Sequence, residues 1–171
     1  MCIRDRCRSA RRANVEQLSW GLGLLVLGVF MKVVVADSVM APVADQVFGS
    51  PHEAGFLDAW VGALAFSGQI FCDFAGYSTC AIGAALCLGF RLPDNFRFPY
   101  AAIGFSDFWR RWHISLSSWL RDYVYISMGG NRKGDLRTLV HLMATMLIGG
   151  LWHGASSVSY THLTLPTILR V

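Results

Sequence analysis

Apolar residues come in long blocks with short polar punctuation between them, and the blocks are too long for the core strands or helices of a small soluble domain. The first covers 18–36, nineteen residues with Lys32 as their one charge. As a helix it is about 28 Å long, close to the roughly 30 Å hydrocarbon core of a bilayer. Lys32, near its end, can snorkel to the interface. The segment 37–58 reads as a polar connection: it holds Asp37, Asp45, Glu53 and Asp58 and no Lys or Arg, and Pro42, Gly49, Pro51 and Gly55 interrupt it. A second block, 59–90, is broken by Asp73. At about 48 Å it is long for one simple span, and one crossing with a kink near Gly76 is expected. A third, 138–155, has His141 at its entrance and His153 near its far end.

Composition strengthens the membrane reading. Hydrophobic residues make up 54% of the 171 and charged ones only 15%, against about 25% charged in soluble domains. The net charge is +4, but the basic residues sit beside apolar runs and aromatics, so an anionic membrane surface is the expected partner and nucleic acid is not. Arg8, Arg11 and Arg12 precede the first block, and Arg91, Arg97, Arg110, Arg111, Arg121, Arg132, Lys133 and Arg137 follow the second. Basic flanks stay cytoplasmic, which puts the acidic 37–58 connection outside and requires an odd number of crossings within 59–90. The five cysteines include no C-x-x-C pair, so neither a disulfide frame nor a metal site is expected. Cys72, Gly76, Cys80, Gly83 and Cys87 fall close to one helical face, as a small-residue packing surface between membrane helices would.

After a turn-rich link, 92–99, Ser106 offers an N-cap and 107–126 reads as an interfacial amphipathic helix. Trp109, Trp112, His113, Leu116, Trp119, Leu120 and Tyr123 cover one side, and Arg110, Arg111, Ser117, Ser118 and Arg121 the other. Gly129 to Gly134 end it with turn chemistry. The fold class is therefore all-α: polytopic membrane helices plus this interfacial helix.

Two imidazoles stand out. His153 lies in Gly149-Gly150-Leu151-Trp152-His153-Gly154, and an ionisable group inside a membrane segment usually has a job. Gly149 and Gly150, one turn earlier, leave room for a substrate or for a close-packed helix. His113 is placed by its i+3 and i+7 neighbours on the apolar side. Each histidine also has a plain alternative, a hydrogen bond to a neighbouring helix. Arg110 and Arg111 either snorkel to lipid phosphates or grip the phosphates of an acyl donor. Asp73 and Asp122 pair with arginines in the simplest reading. Ser115, Ser117 and Ser118 lack a G-x-S-x-G elbow, which argues against a serine nucleophile.

Both ends read as foreign. Residues 1–6, Met-Cys-Ile-Arg-Asp-Arg, back-translate to ATG TGT ATA AGA GAC AGx, which resembles a transposase adapter used to fragment DNA for sequencing, and 158–171 opens like the opposite strand of the same adapter. The expectation is a natural internal segment over 7–157, with no functional weight on Tyr160 or His162.

The run from Phe108 to Tyr123, Phe-Trp-Arg-Arg-Trp-His-Ile-Ser-Leu-Ser-Ser-Trp-Leu-Arg-Asp-Tyr, resembles the signature of the membrane-bound O-acyltransferase family, most closely its alginate-acetylating branch. Asp73-Phe74-Ala75-Gly76-Tyr77-Ser78, Gly129-Gly130-Asn131-Arg132 and Gly150-Leu151-Trp152-His153-Gly154 extend the resemblance, in order, over nearly all of 18–156. It implies a partial domain from a ring of membrane helices around a tunnel, in the bacterial inner membrane. His153 then maps onto the catalytic histidine and His113 onto a second one lining the tunnel. The same blocks offer Trp112, Trp152, Arg110, Ser117, Asp122 and Asn131 as substrate-binding candidates. No bound cofactor is implied. The co-substrate is an acyl thioester, either acetyl-CoA or an acyl-carrier protein. The acceptor is a polysaccharide such as alginate, reached directly or through a periplasmic acetyltransferase partner. A transporter or channel using intramembrane His and Asp, and a non-catalytic scaffold, are the competing readings.

Overall fold

Asn14 opens the first helix with a reciprocal cap: its Oδ1 accepts from the Gln17 amide at 2.7 Å, and Gln17 Oε1 accepts from the Asn14 amide at 3.1 Å. The structure, a computed structural model, describes residues 12–50, 52, 54–132 and 134–153, with backbone alone at 152 and 153. The foreign-end reading of 1–6 and 158–171 lies outside the described residues. The chain divides into two units, one up to Asp94 and one from Asn95, and the described residues contain helices and turns but no strand.

In the first unit helix α1 runs Val15–Gly49. It continues well past the expected end at 36 and through most of the segment read as a polar connection. The reason is a stretch of π-helix, Phe30–Met40, between α-helical parts Val15–Val29 and Ala41–Gly49. Pro42 sits in the first turn after the switch back to α geometry, where a missing N–H is tolerated, so it does not end the helix. Helix α2, Phe56–Cys87, is one uninterrupted run of 32 residues. The Asp58 carboxylate accepts from the Gly55 amide at its start. At its end Gly89 takes φ 80°, and the bonds Gly89 N–H to Leu86 O and Phe90 N–H to Ala85 O close a Schellman turn.

The two helices pack antiparallel along a seam of small residues. A Cβ added at Gly28 would lie 2.6 Å from the Gly76 carbonyl and 2.6 Å from Cys80 Sγ; one added at Gly83 would lie 2.6 Å from the Gly21 carbonyl. Gly68 and Gly62 receive Met40 and Val47 in the same way farther along. Gly76, expected at a kink, is thus a point of close helix approach. Between the Gly28–Gly76 and Met40–Gly68 contacts, α1 advances twelve residues while α2 advances eight. The wider, shorter-rise π turns take up the surplus and keep the seam in register.

The burial pattern is the inverse of a soluble core. Buried positions are small, Ala36, Ala44, Ala75 and Ser78, while Trp20, Val26, Phe30, Trp60, Leu64 and Ile70 are exposed on the outside. Large apolar residues facing out and small ones facing in suit a lipid surround. Among the described residues α1 and α2 are the two helices long and apolar enough to cross a membrane.

Lys32 does not snorkel away. Its Nζ bonds Asp37 at 2.9 Å and also Asp73, so Asp73 pairs with a lysine, not with an arginine as expected. In π-helix residues i and i+5 are neighbours, which brings Asp37 to Lys32 and lets Ser38 Oγ donate to the Val33 carbonyl. The cluster lies near the middle of both helices, where unpaired charges would be costly.

The second unit departs from the expected 107–126 helix. A 3-10 turn, Pro99–Ala101, leads to helix α3, Phe105–Arg111; helix α4, Ile114–Trp119, continues as π-helix over Leu120–Tyr125. Between α3 and α4, Trp112 is extended and His113 is left-handed, φ 44°, ψ 55°. No single amphipathic face therefore runs through this region. Helix α5, Asp135–His153, carries Asp135, Arg137 and two histidines. His141 Nδ1 donates to the Gly130 carbonyl at 2.9 Å, tying the glycine turn to α5.

Gly28→Ala is expected to destabilise the helix pair by about 1–3 kcal/mol through overpacking, whereas Gly23→Ala, whose new Cβ meets nothing within 4 Å, should be silent. Thermal unfolding of the two variants in detergent compares them; equal midpoints would mean the seam is not tight.

Candidate active site

The break at Trp112–His113 places an imidazole where a continuous helix would not. Left-handed backbone costs a non-glycine residue roughly 1 kcal/mol, although histidine tolerates it better than most. Several bonds hold the break in place. The Ile114 amide donates to the Asn95 carbonyl at 2.9 Å and the Arg97 amide to the Arg111 carbonyl at 2.9 Å. Ser117 Oγ donates to the Trp112 carbonyl at 3.3 Å. The Trp112 ring stacks on Phe108 (centroids 5.5 Å apart) and meets Phe96 edge-on at 5.0 Å. Trp112 and Ser117, candidate substrate contacts, also help to shape the turn that presents His113.

His113 lines an open groove of about 330 Å³ together with Ser115, Leu116, Trp119, Leu120, Ile148 and Gly149. Its i+3 and i+7 neighbours, Leu116 and Leu120, lie in α4 and its π extension and line the same groove. Gly149 and Gly150 are buried. A Cβ at Gly149 would stand 3.3 Å from Leu120 Cδ1, so this glycine admits a close-packed neighbour as well as forming the groove wall. Position 153 follows Gly149 by one helical turn on α5. The side chains of Trp152 and His153, and the Gly154 of their block, lie outside the described residues.

Asn95 is the residue that sequence reasoning missed. Its Oδ1 lies 3.1 Å from His113 Nδ1 and accepts from the Ser115 amide at 3.2 Å and from Ser115 Oγ at 2.9 Å. Asn95 stands in a turn-rich link between Pro93 and Pro99, a setting in which an asparagine normally bonds its immediate neighbours. Only the broken helix reveals a partner eighteen positions on.

The remaining candidates are spread out. Arg110 is exposed. Arg111 is held by Asp107 at 2.9 Å. Arg111, with the Ile103 amide, keeps the Asp107 carboxyl below its ordinary value. Asp122 pairs with its neighbour Arg121 at 2.8 Å, which lowers its pKa in turn. Asn131 is exposed in the glycine turn. Among the described residues no three of His, Cys, Asp or Glu converge as metal ligands. Chemically, the groove is a mostly apolar trough with an oriented imidazole and the Ser115 side chain in its lining, suited to handling a proton beside an apolar chain.

Residues 6–165 match the family described as MBOAT, membrane-bound O-acyltransferase family. The chain is similar to the probable alginate O-acetylase AlgI of Pseudomonas fluorescens, 50% identical over 146 residues, which is 85% of this chain and 29% of that protein. It is 44% identical to the peptidoglycan O-acetyltransferase of Helicobacter pylori over 83% of this chain and 27% of the relative. It is 37% identical to the teichoic acid D-alanyltransferase of Bacillus subtilis over 52% of this chain and 24% of the relative. The chain thus spans under a third of the length of these relatives.

The Asp107–Arg111 contact has a pH signature. Because the folded carboxyl titrates below its ordinary value, the contact's stabilisation is complete above the unfolded pKa and is lost as pH falls through the folded one. Thermal unfolding followed by tryptophan fluorescence should show a steeper acid limb in the wild type than in Asp107→Asn. Superimposable acid limbs would remove the pair from the fold's stability.

Proposed function

This chain belongs to the membrane-bound O-acyltransferase family, and from that premise we propose that the whole protein, a multi-pass protein of the bacterial inner membrane, moves an acyl group from a cytoplasmic thioester to hydroxyls of an extracytoplasmic polysaccharide. Acetyl is the favoured group, given the similarity to O-acetylases. The observation that carries the reading is the groove: an imidazole at its edge, Gly149 in its wall, and position 153 one turn farther along the same helix.

In this proposal His153 is the general base. Its neutral imidazole takes the proton of the acceptor hydroxyl as that oxygen attacks the thioester carbonyl carbon. The tetrahedral adduct collapses with cleavage of the C–S bond, and the imidazolium returns the proton to the departing thiolate. Indole N–H groups of Trp112 or Trp152 are the candidate donors to the developing oxyanion. Arg110, exposed and outside the ion pairs of the described residues, is the candidate contact for the donor's phosphates. Acetyl-CoA and an acyl-carrier thioester both fit as donor. Alginate-like chains fit as acceptor, with or without a periplasmic acetyltransferase between.

His153→Ala in the whole protein is expected to lower acyl transfer by about 10²- to 10⁴-fold while membrane insertion is unchanged, measured as acyl release from labelled thioester in vesicles. Transfer at the wild-type rate would remove His153 from the mechanism and favour a scaffold. Proton flux without acyl donor would favour a transporter.

A further inference from the structure

The bonds around Asn95 decide which nitrogen of His113 carries the proton. A backbone N–H can only donate, and the Ser115 amide points at the same Asn95 atom that faces the imidazole, at 3.2 Å. That atom is therefore the amide oxygen, an acceptor. Ser115 Oγ also donates to it at 2.9 Å and stands farther, 3.5 Å, from His113 Nδ1. His113 Nδ1, 3.1 Å from that oxygen, must then bear a hydrogen, because two acceptors at this distance repel. The geometry points to Asn95 as a positioning residue that locks His113 in the Nδ1–H tautomer, so that in the neutral ring Nε2 carries a lone pair, not a proton.

The consequence for chemistry is specific, and it rests on the reading of the groove as an acyl-transfer site. A neutral His113 held this way cannot donate from Nε2 to an oxyanion. At Nε2 it can only accept, from an O–H or N–H group, and the oxyanion must be met by other donors. The groove supports such a selective acceptor: Ser115, Leu116, Trp119, Leu120, Ile148 and Gly149 around it bring no charged side chain. The backbone is built to the same end. The Asn95 carbonyl accepts from Ile114 N–H at 2.9 Å, so both polar ends of one residue grip the chain on either side of the left-handed His113. Ring orientation and backbone break are fixed together.

The test is nitrogen NMR of histidine-labelled whole protein in detergent, with the His113 resonances identified by their absence in His113→Gln. Two-bond correlations report which ring nitrogen is protonated. The wild type should show Nδ1–H; Asn95→Leu should shift His113 toward Nε2–H, the form free imidazole prefers; Asn95→Asp, which keeps an acceptor oxygen, should retain Nδ1–H. Acyl transfer should fall on the order of 10²-fold in Asn95→Leu and return in Asn95→Asp. An Nε2–H signature in the wild type, or an unchanged tautomer in Asn95→Leu, overturns the assignment. If Asn95→Leu does not fold, the wild-type and Asn95→Asp spectra decide: both must show Nδ1–H. Wild-type acyl transfer in His113→Gln would instead remove His113 from the catalytic reading, leaving the spectra to judge Asn95 alone.

Discussion

Backbone meets backbone where Gly28 faces Gly76 and Gly21 faces Gly83, and the first unit is organised by that contact. Lipid offers two apolar helices no hydrophobic reason to associate, so close van der Waals approach has to hold them. The close approach at Gly76, where an added Cβ would lie 3.0 Å from the Lys32 amide nitrogen, in turn sets Lys32 beside Asp73. The charge cluster is thus a product of the seam: a bulkier residue at 76 would push apart the two helices that share the lysine. Cys80 and Cys87 belong to the same surface as compact neighbours of the glycines, which is sufficient reason for their presence there.

The second unit solves a different problem. A helix can carry an imidazole on its flank, but it leaves the ring's polar atoms to chance partners. Interrupting the helix at Trp112–His113 exposes local backbone groups, and Asn95, Ser117 and the stacked Trp112 satisfy or cover them. The result is one histidine with a determined orientation at the edge of an apolar groove. Membership of the acyltransferase family supplies the reaction class within which the proposed roles of this histidine are read.

Much of this was legible from residue pattern alone, and the failures have identifiable causes. The all-α class, the apolar helices and the small-residue face on 72–87 follow from composition and 3.6-residue periodicity. The pattern misplaces the end of α1 because acids, a proline and a glycine predict a loop, while a π stretch lets the helix run through them. Lys32 reads as snorkelling from sequence because its i+5 partner is invisible to α-helical spacing. The apolar and basic residues of 107–126 fit one amphipathic helix so well that the break at His113 left no trace in the pattern. Asn95 could not be found at all, since its role depends on a contact across eighteen residues created by that break.

The π stretch also bears on the order in which the chain enters the bilayer. A ribosome delivers α1 first, and within it the i, i+5 pairing already matches Lys32 with Asp37, so the leading helix is neutral at its centre without help. Asp73 on α2 has no such local cation; its counter-ion waits on the helix that went before. The later segment therefore depends on the earlier one for its passage into hydrocarbon, and the hairpin carries a built-in sequence of assembly from its N-terminal arm to its C-terminal arm.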